Sequence, residues 1–233
     1  VGTASGDKVT RRSRQWTRYQ PSKSHQVTMT ALLGTPKTNV SQRVGYFDDQ
    51  NGLFFEQTIN GISLVRRTNI SGSVVNNKVP QASWNLNTLD GQTNSNNPSG
   101  LKLDLTNVNI FLIDFQWLGA SRVRWGFSFG NHIIYVHEFE AANLISSVYM
   151  STGNLPVTYE IENTGTSASS TTMKAICCSI NSEGGTDHAG FLFSAANTGD
   201  SVISTRRPIL SIRPKLTFNS LINRGQVVPT RVD

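Results

Sequence analysis

One stretch constrains the fold more than any other: Arg122-Val-Arg-Trp-Gly-Phe-Ser-Phe-Gly-Asn-His-Ile-Ile-Tyr-Val-His-Glu-Phe139. Val123, Trp125, Phe127 and Phe129 alternate with Arg122, Arg124 and Ser128, the period-two pattern of a half-buried strand. Gly130-Asn131 then supplies a two-residue hairpin turn, with glycine first as a type II′ turn requires. Folding about that turn pairs Phe129 with His132, Phe127 with Ile134 and Trp125 with Val136. Trp125, Phe127, Ile134 and Val136 then share one side of the sheet. Buried in full, each contributes about 1.5–3 kcal/mol. The hairpin is core, and it carries no chemistry of its own.

The rest of the chain repeats this grammar. Gln26 to Leu33 and Val40 to Phe47 read as strands. Asn51-Gly52 and Asn60-Gly61 join Val40–Phe47, Leu53–Glu56 and Ile62–Arg67 into a meander. Asn85 to Gly100 is a long polar loop, and loops of that length are usually functional. Leu101 to Leu105 alternates cleanly, and Phe111, Ile113, Phe115 and Trp117 share a face. Tyr159 and Ile161 do the same in Leu155 to Asn163, and Met173 to Ile180 is a further strand. Phe191–Phe193 and Ile209–Ile212 are weaker candidates. About ten short strands and no long helical period predict an all-β fold. The expected form is an antiparallel β-sandwich, jelly-roll-like, with extended basic terminal arms. The domain reading is a basic N-terminal arm at 1–25, a sandwich at 26–205, and a basic arm or linker at 206–233.

Charge supports the arms. Residues 1–25 hold six Lys/Arg against Asp7, and residues 200–233 hold six against Asp200 and Asp233. The body between them is mildly acidic. Basic ends of this kind reach an acidic partner, nucleic acid or another protein's surface, or are simply solvated tails. Trp16 and Tyr19 stand among Arg11, Arg12, Arg14 and Arg18, a mixture suited to anchoring an arm in a neighbouring subunit. Residues 1–15 contain no large apolar side chain beyond Val1 and Val9, so an ordered arm needs support from outside itself. These six are the candidate partner-binding residues.

Catalytic signals are weak. Asp48-Asp-Gln-Asn-Gly52 lacks the alternating ligands and distal Glu of a calcium loop and reads as a turn. Glu138/Glu140 and Glu160/Glu162 are spaced like paired acids on a strand face. Glycosidases of sandwich fold carry Glu-x-Asp-x-Glu, and His137-Glu-Phe-Glu-Ala-Ala142 stops short of it. Solvated faces explain both pairs. No nucleophile elbow, phosphate loop or metal-ligand spacing appears. The expectation is a non-enzymatic protein without metal or cofactor. Cys177 and Cys178 are the only cysteines, and as neighbours on a strand they make no disulfide framework. No apolar run is long enough for a membrane helix, and no signal peptide or initiator Met opens the sequence, as expected of a processed or internal portion.

Several phrases together resemble a family of virion structural proteins from tailed phages and large double-stranded DNA viruses. They are Arg18-Tyr-Gln-Pro-Ser-Lys-Ser24, Arg43-Val-Gly-Tyr-Phe-Asp-Asp-Gln-Asn-Gly-Leu-Phe-Phe-Glu56 and Trp117-Leu-Gly-Ala-Ser-Arg-Val-Arg-Trp-Gly-Phe127. Tyr135-Val-His-Glu-Phe139, Val148-Tyr-Met-Ser-Thr-Gly-Asn-Leu-Pro156 and Tyr159-Glu-Ile-Glu-Asn163 complete the set. The resemblance covers most of residues 18–185. It implies a place in a virion as a minor capsid, vertex or tail component, with other virion proteins and further copies of the chain as partners, and no membrane. It implies no catalytic residue. The basic arms leave nucleic acid open as a partner. The alternative is a carbohydrate-binding sandwich, lectin-like or receptor-binding, and a sandwich glycoside hydrolase is a third class.

Overall fold

The computed structural model describes residues 1–184, 194, 212–223, 225 and 227. Within residues 1–185 the chain forms two antiparallel sheets. The six-stranded sheet runs in the order β1 (Lys8–Arg12), β10 (Val157–Asn163), β3 (Val40–Phe47), β4 (Gly52–Thr58), β5 (Gly61–Thr68) and β6 (Val75–Pro80). The five-stranded sheet runs β11 (Lys174–Ser182), β2 (His25–Leu32), β7 (Asn109–Phe115), β8 (Val123–Phe129) and β9 (His132–Phe139). The sandwich expected from the alternating patterns is therefore present, with its apolar faces turned inward.

Those inward faces interdigitate through aromatic rings. Phe55 of the six-stranded sheet lies 5.1 Å from both Phe111 and Phe127 of the five-stranded sheet, and Tyr46 lies 5.3 Å from Phe115. Offset and edge contacts of this kind add to the burial term. Of the core expected from sequence, Phe111, Ile113, Phe115, Val123, Trp125, Phe127, Val136, Tyr159 and Ile161 are buried. Trp117 and Ile134 are partly buried against the same cluster.

The opening hairpin differs in one register step. Phe129 pairs with His132 and Phe127 with Ile134, as the turn dictates, and Gly130 has the left-handed φ of +59°. Beyond Gly126 the ladder shifts, and Trp125 faces His137 rather than Val136. A bulge on β9 absorbs one extra residue, which keeps Val136 in the core. Alternation alone does not announce such a residue.

Three other expectations change. Leu101, Leu103 and Leu105 pack against the core, yet only Lys102 forms a bridge, to Asp90. Strand β6 has no counterpart in the sequence pattern, because Val75-Asn-Asn-Lys-Val-Pro80 neither alternates nor excludes proline. The N-terminal segment does not leave the sandwich. Lys8–Arg12 is an edge strand on β10, and Tyr19 is buried in the protein's own core. The outside support that its composition requires comes from backbone pairing and ion pairs within the same chain. The sandwich accordingly spans residues 8–182 rather than beginning at 26.

A separate unit begins at Thr186. Its described part contains one small hairpin, β12 (Thr217–Phe218) with β13 (Leu221–Ile222), turning on Asn219 and Ser220 at positive φ. Phe191–Phe193, most of Ile209–Ile212 and most of the expected C-terminal arm at 206–233 lie outside the described residues. No helix among the described residues is long and apolar enough to cross a membrane.

Candidate functional site: two outer faces

Each sheet has an outward face, and strand alternation places different chemistry on each. On the six-stranded sheet, Thr10, Glu160, Arg43 and Glu56 stand in one cross-strand row. Arg43 is the centre. Its Nε donates to Glu56 Oε1 at 2.8 Å, and its Nη1 donates to Glu160 Oε1 at 2.6 Å and to Glu162. Lys78 pairs with Glu56, and Lys8 Nζ lies 2.9 Å from Glu160 Oε2. Thr10 Oγ1 also donates to Glu160. Three cations meet three carboxylates, and Lys8 links them on to Asp49, 3.9 Å away and itself paired with Arg12, so the network is neutral.

Beside it, Gly45 leaves the space in which Phe54 lies, since a Cβ there would stand 2.3 Å from the Phe54 Cβ. The Arg67 guanidinium covers Phe54 and Phe47 at 4.9 and 5.5 Å.

This face corrects the reading of Glu160 as a solvated residue, because its side chain is fully buried. Burial pushes the Glu160 carboxyl up, but hydrogen bonds and charge from Lys8 and Arg43 outweigh it and hold the group below its ordinary value. Glu56 behaves likewise under Lys78 and Arg43. Carboxylates held ionised in this way do not serve as proton donors near neutral pH. Glu138 is half-buried and 3.6 Å from Arg122 Nε, on the other sheet. The two glutamate pairs therefore do not converge. Asp48, from the calcium-like fragment, caps its own turn, its Oδ1 accepting from Gln50 N and Asn51 N at 2.7 Å. No cluster of metal-ligating side chains occurs among the described residues.

The five-stranded sheet presents an open face. Gln26, Asp114, Arg124 and Glu138 form its cross-strand row. Arg124 pairs with Asp114, and the Tyr135 hydroxyl donates to the same Asp114 Oδ2 at 3.2 Å. Tyr135 lies across Gly126, whose missing Cβ would stand 3.2 Å from the ring and 2.8 Å from Ile134 O. The Arg124 guanidinium then stacks on the Tyr135 ring at 4.1 Å. Burial pulls the Arg124 cation down, and Asp114 more than compensates, so it stays charged. Burial and the same carboxylate push the Tyr135 hydroxyl up, keeping it a neutral donor.

Two adjoining depressions of about 330 and 310 Å³ open beside this trio. They share Ser24, Asp114 and Arg122, and extend to Gln26, Asn181 and Ser182 on one side and Gln116 and Ser121 on the other. Arg124 Nε and Ser182 Oγ are buried here without a hydrogen-bond partner. The lining is polar, of mixed sign, and supplied by loops and strands distant in sequence. No spacing motif marks it. Its only trace in the sequence is that Asp114 and Arg124 occupy the polar phase of two strands.

The candidate arm residues do not gather into one site. Arg12 binds Asp49 at 2.6 Å, and Arg11 donates to the Ala175 carbonyl at 3.1 Å. Arg14 and Arg18 are exposed and Trp16 is half-buried. Tyr19 packs edge-on against His25 and Trp117, at 5.4 and 5.6 Å, so it anchors residues 13–24 to the protein's own sandwich. Cys177 and Cys178 are free and exposed on β11.

No protein-family model and no curated protein matches the sequence. Solved structures similar in fold are β-sandwiches. A homodimeric agglutinin from chicken liver, CG-16, is 10% identical over 75% of this chain and 100% of its own, with a TM-score of 0.33. Galectin LEC-6 of Caenorhabditis elegans is 8% identical over 74% of this chain and 94% of its own, with a TM-score of 0.34. The botulinum neurotoxin serotype D ligand binding domain, solved in complex with N-acetylneuraminic acid, is 10% identical with a TM-score of 0.37. It covers 78% of this chain, which spans 37% of that one.

Proposed function

We propose that this chain is a non-catalytic recognition sandwich that binds a neutral saccharide on the open face of its five-stranded sheet. The observation that carries the reading is the groove beside Asp114, Arg124 and Tyr135. There, side-chain donors and acceptors of Ser24, Gln26, Asp114, Arg122 and Asn181 line a polar depression open at the surface. A polyhydroxylated ring satisfies such an array because each hydroxyl both donates and accepts. The mixed sign of the lining favours a neutral ligand over a charged one.

Titration of isotope-labelled protein with a panel of methyl glycosides tests this. The expected result is saturable amide shifts confined to residues 24–26, 114–124 and 181–183. Asp114→Ala and Arg122→Ala are each expected to weaken binding by about tenfold. A panel without saturable shifts overturns the reading.

The second reading is a component of a viral particle. The resemblance of the quoted phrases supports it, and so does one structural observation: the basic segment expected to meet a partner contains an edge strand, Lys8–Arg12. The two readings meet in a glycan-recognising virion protein. Antibody detection of the chain in purified particles, set against its presence only in host lysate, decides the second.

A further inference from the structure

We propose that a proton on His25 unlatches residues 13–24 from the sandwich, freeing this basic segment in acid while both sheets stay folded. The device does not depend on the groove. His25 is the first residue of β2, fully buried, and neither ring nitrogen has a hydrogen-bond partner. Its ring makes edge contacts with Tyr19 at 5.4 Å and Phe115 at 5.6 Å. In register it stands between Ser182 of β11 and Phe115 of β7. The titratable groups on this side are Tyr19 itself and, against Phe115, Tyr46, whose hydroxyl donates to Gly153 O at 2.8 Å. Neither is a counter-ion. Burial lowers the His25 pKa to about 4, with no charged neighbour contributing. An imidazolium formed in this place is therefore both desolvated and unpaired.

Its neighbours differ in how firmly they are held. Phe115 lies in a strand paired on both sides, and Ser182 lies in a ladder with β2 itself. Residues 13–24 belong to no strand. Tyr19 N donates to Asn154 Oδ1 at 2.7 Å, Thr17 N donates to Leu155 O at 3.2 Å, and the Tyr19 hydroxyl accepts from Leu118 N at 3.2 Å. Withdrawing Tyr19 breaks these few bonds and hydrates the imidazolium, whereas moving Phe115 dismantles a sheet. The closed segment binds this proton only near pH 4, and the opened one binds it near the ordinary histidine value of about 6.5. Opening is thus favoured as pH falls through that window and gains nothing further below it. The segment released carries Arg14, Trp16 and Arg18 with it.

The test is amide exchange of the isotope-labelled full chain from pH 7 to about 4.5, corrected for the intrinsic rate. Thr17, Tyr19 and Leu118 are the probes, and amides of β3 and β4 are the reference. Protection of the probes is expected to fall by nearly tenfold per pH unit between about 6 and 4.5, the slope of one proton. At pH 5 their exchange is expected to be indifferent to low urea, while reference amides, which open only globally, respond steeply. His25→Phe keeps an aromatic ring of similar size without the proton site and is expected to abolish the slope at the probes. His25→Leu is the second variant, and circular dichroism establishes that each is folded. Protection that does not change with pH, a slope of two or more protons, or probes as urea-sensitive as β3 and β4 overturns the proposal in the parent protein alone. A slope retained in either folded variant overturns it as well.

Discussion

The two outward faces of this sandwich use the same residue types to opposite ends. On the six-stranded sheet, Arg43 sits among Glu56, Glu160 and Glu162, and every charge meets its opposite at contact distance. On the five-stranded sheet, Arg124 meets one carboxylate and one aromatic ring, and its side chain lines an open polar depression. Arg43 is enclosed by three carboxylates on the first face, and Arg124 has a single carboxylate beside an open depression on the second. An arginine surrounded by acids is part of the scaffold. An arginine held by one side and left open on the other is part of a surface built for something else.

The largest expected effect separates these roles. Arg43→Ala leaves Glu56 and Glu160 buried without their shared cation and is expected to cost about 3–5 kcal/mol in urea unfolding. Equal costs for Arg43→Ala and Arg124→Ala would break the comparison.

Acid sharpens it. His25 on the five-stranded sheet is fully buried, neither ring nitrogen has a hydrogen-bond partner, and burial lowers its pKa to about 4. The unfolded chain takes this proton first, so stability falls as pH drops below about 6.5 and continues to fall to about 4, by roughly 3 kcal/mol in all. The depressed Glu56 and Glu160 act in a lower window. Their contribution is present above the ordinary carboxylate range and is lost as pH falls through their folded values. Stability measured against pH should therefore decline in two stages, and His25→Phe should shrink the first without removing it, because burial lowers His137 as well.

A smaller effect is expected at Gly126. A methyl group there stands 2.8 Å from Ile134 O and lifts Tyr135, so Gly126→Ala is expected to cost about 1–3 kcal/mol and to disturb the groove. Arg124→Ala is expected to cost no more than about 1 kcal/mol, because a partly exposed ion pair is screened. Its effect should appear in ligand titration rather than in unfolding.

Much of the scaffold was legible because burial on one side of a strand leaves a period of two. That period located β2, β3, β8 and β10 within a residue or two, and the Gly130-Asn131 turn set its own register. What it misread were residues whose partners are remote. Glu160 alternates with Tyr159 and Ile161 and so looks solvated, whereas the Arg43 that buries it is 117 positions away. The edge strand β1 is composed like a tail and becomes a strand only because β10 offers a partner. The groove was illegible for a related reason. Ser24, Asp114, Arg122 and Ser182 come from separate segments, and no spacing records their meeting.

Strand β1 also carries a consequence in time. Thr10 is made before the Glu160 it binds, which follows 150 residues later. At about 5–20 residues per second, the basic segment waits roughly 8–30 seconds on the ribosome before its place in the sheet exists. During that interval Lys8, Arg11 and Arg12 are cations on an unpaired chain. When β10 is laid on β3, it is at first the open edge of its sheet, and it stays open until the earlier-made β1 returns to close it. The order in which the sandwich can be completed is thus the reverse of the order in which that sheet edge is synthesised.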